Sequence, residues 1–301
     1  MKQLVILSGK GGTGKTSLVA AFAHLAHEGA SPVQVVLADA DVDAANLELV
    51  LRPKRMETHE FVGGSVATID PDRCLDCGVC LQVCRFDAIQ IVNDSYSVDP
   101  IACDGCAACV YQCPEGAVEM KAQAVGQWFR SESPFGPLFH ADLRPAQENS
   151  GKLVTVVKQN ARLLAMDKGY PLIIVDGPPG ISCPVISAVA GADMVLIVTE
   201  PTSAGIHDME RILKLTKHFR LPAIVCINKA DIYQDCTDEI EDYSEQQQIE
   251  VIGKIPYDEA VTWAMIQGEP ITSYRSTAPA SQAIKQIWMK ITSRLLVEEK
   301  R

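Results

Sequence analysis

The 301-residue chain is predicted to be an α/β protein: a doubly wound, mostly parallel sheet interrupted by a small inserted α+β domain. Three observations lead there. Short apolar runs alternate with helical patterns at both ends of the chain, as expected of strands covered on both faces. A glycine-rich loop, Gly9-Lys10-Gly11-Gly12-Thr13-Gly14-Lys15-Thr16, stands between the first such run and the first helical stretch. Eight of the eleven cysteines fall between positions 74 and 113, where long apolar runs are absent.

Taken in order, Leu4-Val5-Ile6-Leu7 is a strand and the stretch from Ser17 to Ala23 opens a helix expected to end near Gly29. Strand, glycine-rich loop and helix form the setting of a phosphate-binding loop. The glycines let backbone N–H groups turn toward phosphate oxygens, and the helix N-terminus adds its positive end. Lys15 is placed to reach the β- and γ-phosphates and Thr16 to ligate Mg²⁺, so Gly9 to Ser17 is the predicted nucleotide-binding segment. The run from Val33 to Ala38 is a buried strand leading into Asp39-Ala40-Asp41, and Arg52-Pro53-Lys54-Arg55-Met56 is irregular. The region 57–122 reads as the insert. The region 123–149, with Ser133-Pro134-Phe135-Gly136-Pro137 and Leu143-Arg144-Pro145, reads as a long connecting loop.

The α/β pattern then resumes with a helix from Leu153 to Met166 and a strand, Leu172 to Val175, that ends at Asp176. Two more buried strands, Met194 to Val198 and Ala223 to Ile227, flank a helix from His207 to Phe219. A short strand, Val251 to Ile255, precedes a helix from Ser281 to Leu296, so residues 1–56 and 150–301 form one discontinuous domain. In such sheets ligands sit beyond the carboxyl ends of the strands, where Asp39, Asp41, Asp176 and Asn228 lie. Asp176, before Gly177-Pro178-Pro179-Gly180, suits a ligand of a magnesium-bound water, and Asp39 and Asp41 fall near a γ-phosphate and its attacking water. Thr16, Asp39 and Asp176 are therefore the candidate magnesium residues. Simple capping of the next helices is the alternative for the carboxylates.

These motifs resemble those of the MinD/ParA/Mrp class of P-loop ATPases, which includes the nitrogenase iron protein. Lys10 matches that class's signature lysine, which the resemblance implies reaches across a homodimer to the partner's nucleotide. Asp39 to Leu47 resembles switch I, with Asp41 matching the residue that orients the attacking water, and Asp176 to Gly180 resembles switch II. Lys10, Lys15 and Asp41 are thus the implied catalytic residues. Asn228-Lys229-Ala230-Asp231 resembles the segment whose asparagine contacts adenine, with Pro256 near the same pocket. The preference for ATP over GTP rests on this likeness. Members of the MinD branch end in a basic amphipathic helix. Here Ile284, Ile287, Trp288, Ile291 and Leu295 make an apolar stripe without a basic face, which predicts a packing helix and no stable membrane insertion.

Within the insert, Cys74-x₂-Cys77-x₂-Cys80-x₃-Cys84 is followed by Cys103-x₂-Cys106-x₂-Cys109-x₃-Cys113-Pro114. The doubled spacing resembles that of two-cluster ferredoxins, whose remote fourth cysteine ligates the other cluster. The resemblance implies one [4Fe–4S] cluster on Cys74, Cys77, Cys80 and Cys113, and a second on Cys84, Cys103, Cys106 and Cys109. Arg85 stands where the first repeat would carry proline, and zinc is the alternative metal for paired CxxC groups. Of the other cysteines, Cys226 reads as a core residue and Cys236 gives no signal. Cys183, just past the switch II turn, matches the offset of an iron-protein cluster ligand and is a candidate redox or metal thiol. Ser150-Gly151-Lys152, after Asn149, reads either as a helix cap or as a partner or anion site. His140 is unassigned; a lone histidine in a loop usually faces solvent.

A net charge of −11 argues against nucleic acid as a partner, and no apolar run approaches the roughly 20 residues that span a bilayer. With no secretory pattern at the N-terminus and many unpaired-looking cysteines, a cytoplasmic location is expected. The leading expectation is a Mg²⁺-dependent ATPase dimer that gates electron transfer through its clusters to or from a redox partner protein. Assembly of iron–sulfur or metal cofactors for a partner, and redox-controlled positioning, are the alternatives.

Overall fold

The computed structural model describes residues 1–28, 31–144 and 150–297. The expected helix end at Gly29, the stretch Pro145 to Asn149 and the tail Glu298 to Arg301 lie outside them. The chain runs β1 (Lys2–Ser8), α1 (Lys15–Glu28), β2 (Val35–Asp39), α2 (Leu47–Leu51), β3 (Lys54–Ile69), α3 (Val79–Val83), β4 (Ile89–Val92) and β5 (Ser95–Val98). It continues through α4 (Ala108–Gln112), β6 (Val118–Ser133), β7 (Gly136–Leu143), α5 (Ser150–Lys168), β8 (Leu172–Pro179), α6 (Cys183–Val189) and β9 (Met194–Thr199). Then come α7 (Ser203–His218), β10 (Ala223–Asn228), α8 (Gln234–Gln246), β11 (Glu250–Ile255), α9 (Glu259–Gln267), α10 (Ile271–Tyr274) and α11 (Pro279–Val297).

Strands neighbour one another in the order β11-β10-β9-β1-β8-β2-β7-β6-β3. Every pairing from β11 to β7 is parallel. β1 lies inside this array between β9 and β8, and Leu4 to Leu7 are completely buried, which is why that run carries no polar alternation. One face is closed by α1 and α11, whose Phe22 and Trp288 rings pack at 5.1 Å between centroids. Ile284, Ile287, Trp288, Ile291 and Leu295 are all buried in this core, so the stripe of α11 is a packing surface. Burial of each such side chain contributes about 1.5–3 kcal/mol.

Residues 123–143 differ from the expected loop: they belong to β6 and β7. Phe129, Ser131 and Ser133 point inward and alternate with Arg130 and Glu132, a strand period that the serines conceal in the sequence. Pro134 and Phe135 alone connect the two strands, a length that antiparallel neighbours allow. Ser133 Oγ closes this turn, accepting from Phe135 N at 3.2 Å and donating to Gly136 O at 2.7 Å. Gly136, at φ +134°, is required there, because a Cβ would lie 2.6 Å from Val35 O.

His140, unassigned from the sequence, consequently sits inside β7 and is 2% exposed, unlike the usual loop histidine. Its Nε2 lies 2.9 Å from Ser131 Oγ and its Nδ1 3.3 Å from Glu48 Oε2 on α2. The Arg55 guanidinium stacks 3.7 Å over Phe129 and pairs with the same Glu48 at 3.6 Å. Burial first, then Arg55, pushes the imidazole down to about 4, so it is neutral at pH 7. Lys158 on α5 is another buried group. Its Nζ donates to the carbonyls of Ser187 and Ala190 at 2.9 and 2.8 Å and also to Ala188, closing the C-terminus of α6.

The chain forms two compact units. The first takes in Met1–Thr58, Trp128–Asp142 and the residues from Ser150 onward; the second comprises His59–Gln127 with Leu143 and Arg144. In the second, β4 and β5 form an antiparallel hairpin turned at Asn93 and Asp94, both at positive φ as a tight hairpin turn requires. Its small core gathers Ala67, Cys80, Ile89, Cys109 and Val118. Among the described residues no helix is long and apolar enough to cross a membrane.

Candidate functional site

In the first unit, β1 ends at Ser8 and the chain turns through Gly9 to Gly14 before α1 begins at Lys15. Gly12 and Gly14 take φ of +79° and +91°, which wraps the loop back over the helix start. A Cβ at Gly14 would stand 2.5 Å from Asn228 Nδ2, so backbone and side chain meet there only because the position is glycine. Lys15 is 5% exposed and donates from Nζ to Ser8 Oγ at 2.8 Å, and Ser8 Oγ donates to Lys10 O at 2.7 Å. Lys15 also acts electrostatically on the carboxylates Asp41 and Asp176. Thr13 Oγ1 is buried with no partner, and Ser17 Oγ faces Met265 Sδ at 3.0 Å.

β2 and β8 pair so that Asp39 stands directly opposite Asp176, both fully buried. Asp39 accepts from Asp41 N and Leu47 N, each at 3.1 Å, and so anchors the loop that leads into α2. Neither oxygen of Asp176 has a hydrogen bond of ordinary geometry, although the nearby Thr16 hydroxyl and Lys15 favour its charged form. Burial is the main force raising the pKa of Asp176, with Asp41 adding to it. Burial and then Asp176 raise that of Asp39, and burial raises that of Asp41 against the pull of Lys15. Two buried carboxylates side by side, one of them unpartnered, make a donor set suited to a hard divalent cation. Mg²⁺ therefore fits at Thr16 and Asp176, with Asp39 supporting the loop beside them.

On the other side of β1, Asn228 donates from Nδ2 to Thr13 O at 2.8 Å and thus ties the loop to the end of β10. Asp231 accepts from Tyr257 N at 2.6 Å, and Ala230 N donates to Ile255 O at 3.0 Å, which brings Pro256 beside the Asn228 turn. Lys10 Nζ lies 3.3 Å from Glu200 Oε2, and Lys229 Nζ lies 2.5 Å from Oε1 of the same carboxylate. The sequence reading passed over Glu200. Its position just beyond a buried strand gave the same signal that singled out Asp39 and Asp176.

Cys183 is exposed at the start of α6, and Cys226 is buried in β10, where burial pushes its thiol up to about 12. Cys236 lies on α8. Ser150 to Lys152 form the first turn of α5 and approach Cys183 and Ser187 at Gly151.

In the second unit, the eight repeat cysteines are free thiols distributed around two small cavities of equal size, about 20 Å³ each. Cys74, Cys77, Cys80 and Cys113 line the first, with Ile69, Leu75 and Tyr96. Cys84, Cys103, Cys106 and Cys109 line the second, with Ala67, Phe86 and Ile89. The two loops repeat each other in backbone as well: Asp76 and Gly78 in one, Gly105 and Ala107 in the other, take positive φ at equivalent positions. Ala88 N donates to Cys84 Sγ at 3.4 Å and Ala117 N to Cys113 Sγ at 3.2 Å, again at matching offsets. Burial first, and then neighbouring cysteines, raise the pKa values of Cys80 and Cys109. Among the described residues no three His, Cys, Asp or Glu side chains converge tightly enough for a single metal ion.

The fold and the loop at Gly9 define a P-loop nucleoside-triphosphatase. The sequence profile of the CobQ/CobB/MinD/ParA nucleotide-binding domain matches residues 4–271, and the chain belongs to that family as a MinD/ParA-type ATPase. An uncharacterized protein of Methanocaldococcus jannaschii is 33% identical over 227 residues, 75% of this chain and 78% of its own length. An uncharacterized ATP-binding protein of the same organism is 26% identical over 290 residues, covering 96% and 86%. Among solved structures, the septum site-determining protein MinD from Pyrococcus horikoshii, complexed with Mg-ADP, superposes with a TM-score of 0.59 at 18% identity. That match covers 100% of this chain and 99% of that one. At that identity the likeness is one of fold.

Proposed function

We propose that the chain is a Mg²⁺-dependent ATPase whose homodimeric nucleotide switch gates electron transfer through two [4Fe–4S] clusters to or from a partner redox protein. The observation that carries this reading is the partition of the eight repeat cysteines, four and four, around two cavities in crossed register. When bound, such clusters supply one-electron chemistry. The chain supplies the thiolates, and the N–H groups of Ala88 and Ala117 stabilise the sulfurs of Cys84 and Cys113. At the nucleotide site, the loop N–H groups and Lys15 bind the phosphates, Thr16 and Asp176 hold Mg²⁺, and Asp41 orients the attacking water. Lys10 acts on the phosphates of the partner's nucleotide, Asn228 and Pro256 border the base, and Cys183 faces the partner.

Anaerobic iron analysis and electron paramagnetic resonance test this reading, with the protein titrated by ADP and by a non-hydrolysable ATP analogue. Eight irons per chain, four for each cluster, with signals that respond to nucleotide are the expected result. Iron-free protein, or signals and transfer rates identical in all nucleotide states, would overturn it. The fold likeness to MinD favours a second reading, a positioning ATPase in which ATP sets only the oligomeric state. Full ATP turnover and dimerisation in iron-free protein would select it.

A further inference from the structure

Lys10 is held in place by its own subunit. Its Nζ is 3.3 Å from Glu200 Oε2, while Lys229 holds Oε1 at 2.5 Å. The Glu200 side chain is 11% exposed, and those of Lys10 and Lys229 are 40% and 34% exposed. The two cations are therefore unequal partners. Lys229 makes the shorter contact and by itself neutralises the carboxylate. Lys10 makes the longer contact, is the more hydrated of the two, and leaves behind a satisfied ion pair when it departs. Two ammonium groups on one carboxylate also leave a surplus positive charge beside the phosphate-binding loop.

We propose that Glu200 is a positioning residue that holds Lys10 on its own subunit and sets the nucleotide threshold for dimer closure. This inference rests on the reading that Lys10 acts on a phosphate across the dimer. Triphosphate oxygens compete with Glu200 for the Lys10 ammonium, and Lys229 limits the strength of the hold because it shares the carboxylate. Lys229 thus tunes the device. Removing Glu200 releases Lys10; removing Lys229 gives Lys10 the undivided carboxylate.

The test measures the ATP concentration for half-maximal dimerisation by analytical ultracentrifugation, together with steady-state hydrolysis, on the full chain with Mg²⁺. Glu200→Gln should lower that concentration about two- to fivefold, the range of one partly exposed ion pair. Lys229→Met should raise it by a similar factor. A lesion that merely loosened the fold would move both variants in one direction. Raising the salt concentration should shift wild type toward the Glu200→Gln behaviour and shift that variant less. Variants that shift together, or neither of which shifts, overturn the proposal. Lys10→Ala separates the two layers of inference. If it dimerises and hydrolyses like wild type, the trans role of Lys10 fails. If it loses hydrolysis while Glu200→Gln and Lys229→Met leave the threshold unchanged, only the hold by Glu200 fails.

Discussion

Acidifying the solution from pH 7 to pH 5 should weaken the fold by about 2 kcal/mol through His140 alone. The imidazole titrates at about 4 in the folded chain, against 6.5 for an ordinary histidine. A histidine whose folded value is depressed contributes stability that is fully present above the unfolded value. That stability is lost as pH falls from about 6.5 toward 4, because the unfolded chain then binds a proton that the folded one refuses. At pH 5 the unfolded imidazole is nearly fully protonated and the folded one is not, which gives the stated figure. At 2% exposure there is little solvent screening to reduce it.

Two influences oppose each other at this ring. Glu48 Oε2 at 3.3 Å from Nδ1 favours the imidazolium, whereas burial and Arg55 disfavour it. Arg55 already pairs with that carboxylate, and Ser131 Oγ lies within hydrogen-bonding distance of Nε2, so the ring is partnered without a charge. The neutral form therefore prevails. The assay is urea unfolding at pH 7, 6 and 5 for wild type and for His140→Gln, which hydrogen-bonds but does not titrate. Wild type should lose about 2 kcal/mol more than the variant over this range. Equal losses, or a wild type that gains relative to the variant on acidification, would show that Glu48 wins and that the burial reasoning is wrong.

Other variants probe the two sites. Lys10→Ala should leave nucleotide binding nearly intact and remove hydrolysis, as read by calorimetry and phosphate release; unchanged turnover would count against its catalytic assignment. Gly14→Ala should weaken Mg-ATP binding about tenfold, since the added Cβ meets Asn228 Nδ2 and the φ of +91° costs a further 1–2 kcal/mol, roughly. Titration calorimetry reads it. Lys158→Met should lower stability by about 1–3 kcal/mol in urea unfolding, because three carbonyls at the end of α6 lose their donor. Cys113→Ser should remove about half the iron and spare the signals of the site formed by Cys103, Cys106 and Cys109. Loss of those signals instead would refute the crossed assignment.

The strands that carry the nucleotide site were legible because burial on both faces leaves an unbroken apolar run. Leu4 to Leu7, Leu172 to Val175 and Met194 to Val198 all have that form. The pair β6 and β7 was not, for two physical reasons. Their inward positions include Ser131, Ser133 and His140, polar groups satisfied by one another or by the turn, so the period of two is invisible to a count of apolar residues. The turn that joins them, Pro134-Phe135 within a proline- and glycine-rich stretch, also resembles open loop. Asp39, Asp41 and Asp176 could be found by asking what stands at a strand's carboxyl end. Their division of labour could not, because it depends on Asp39 accepting two backbone N–H bonds while Asp176 accepts none of ordinary geometry.

Strand order also explains why this site suits a magnesium–nucleotide pair better than either ion alone. β1, which bears the phosphate-binding loop, separates β8 and β2 on one side from β9 and β10 on the other. Asp176 and Asp39 lie in β8 and β2, and Asp41 just after β2; Lys10 and Lys229, which share Glu200, follow β1 and β10. One flank therefore carries buried negative charge short of a counter-ion, and the other carries positive charge in excess. A divalent cation relieves the first flank only, and an anion such as free phosphate relieves the second only. A nucleotide polyphosphate with its metal relieves both at once, so each makes the other's binding more favourable through the charges of the protein. Asp39 also holds the backbone at Leu47, and Glu200 holds Lys10, so each flank carries a contact that ties a loop to its charge. On the proposed reading, the two carboxylates through which a bound nucleotide would act on the chain are Asp39 and Glu200, on opposite sides of β1.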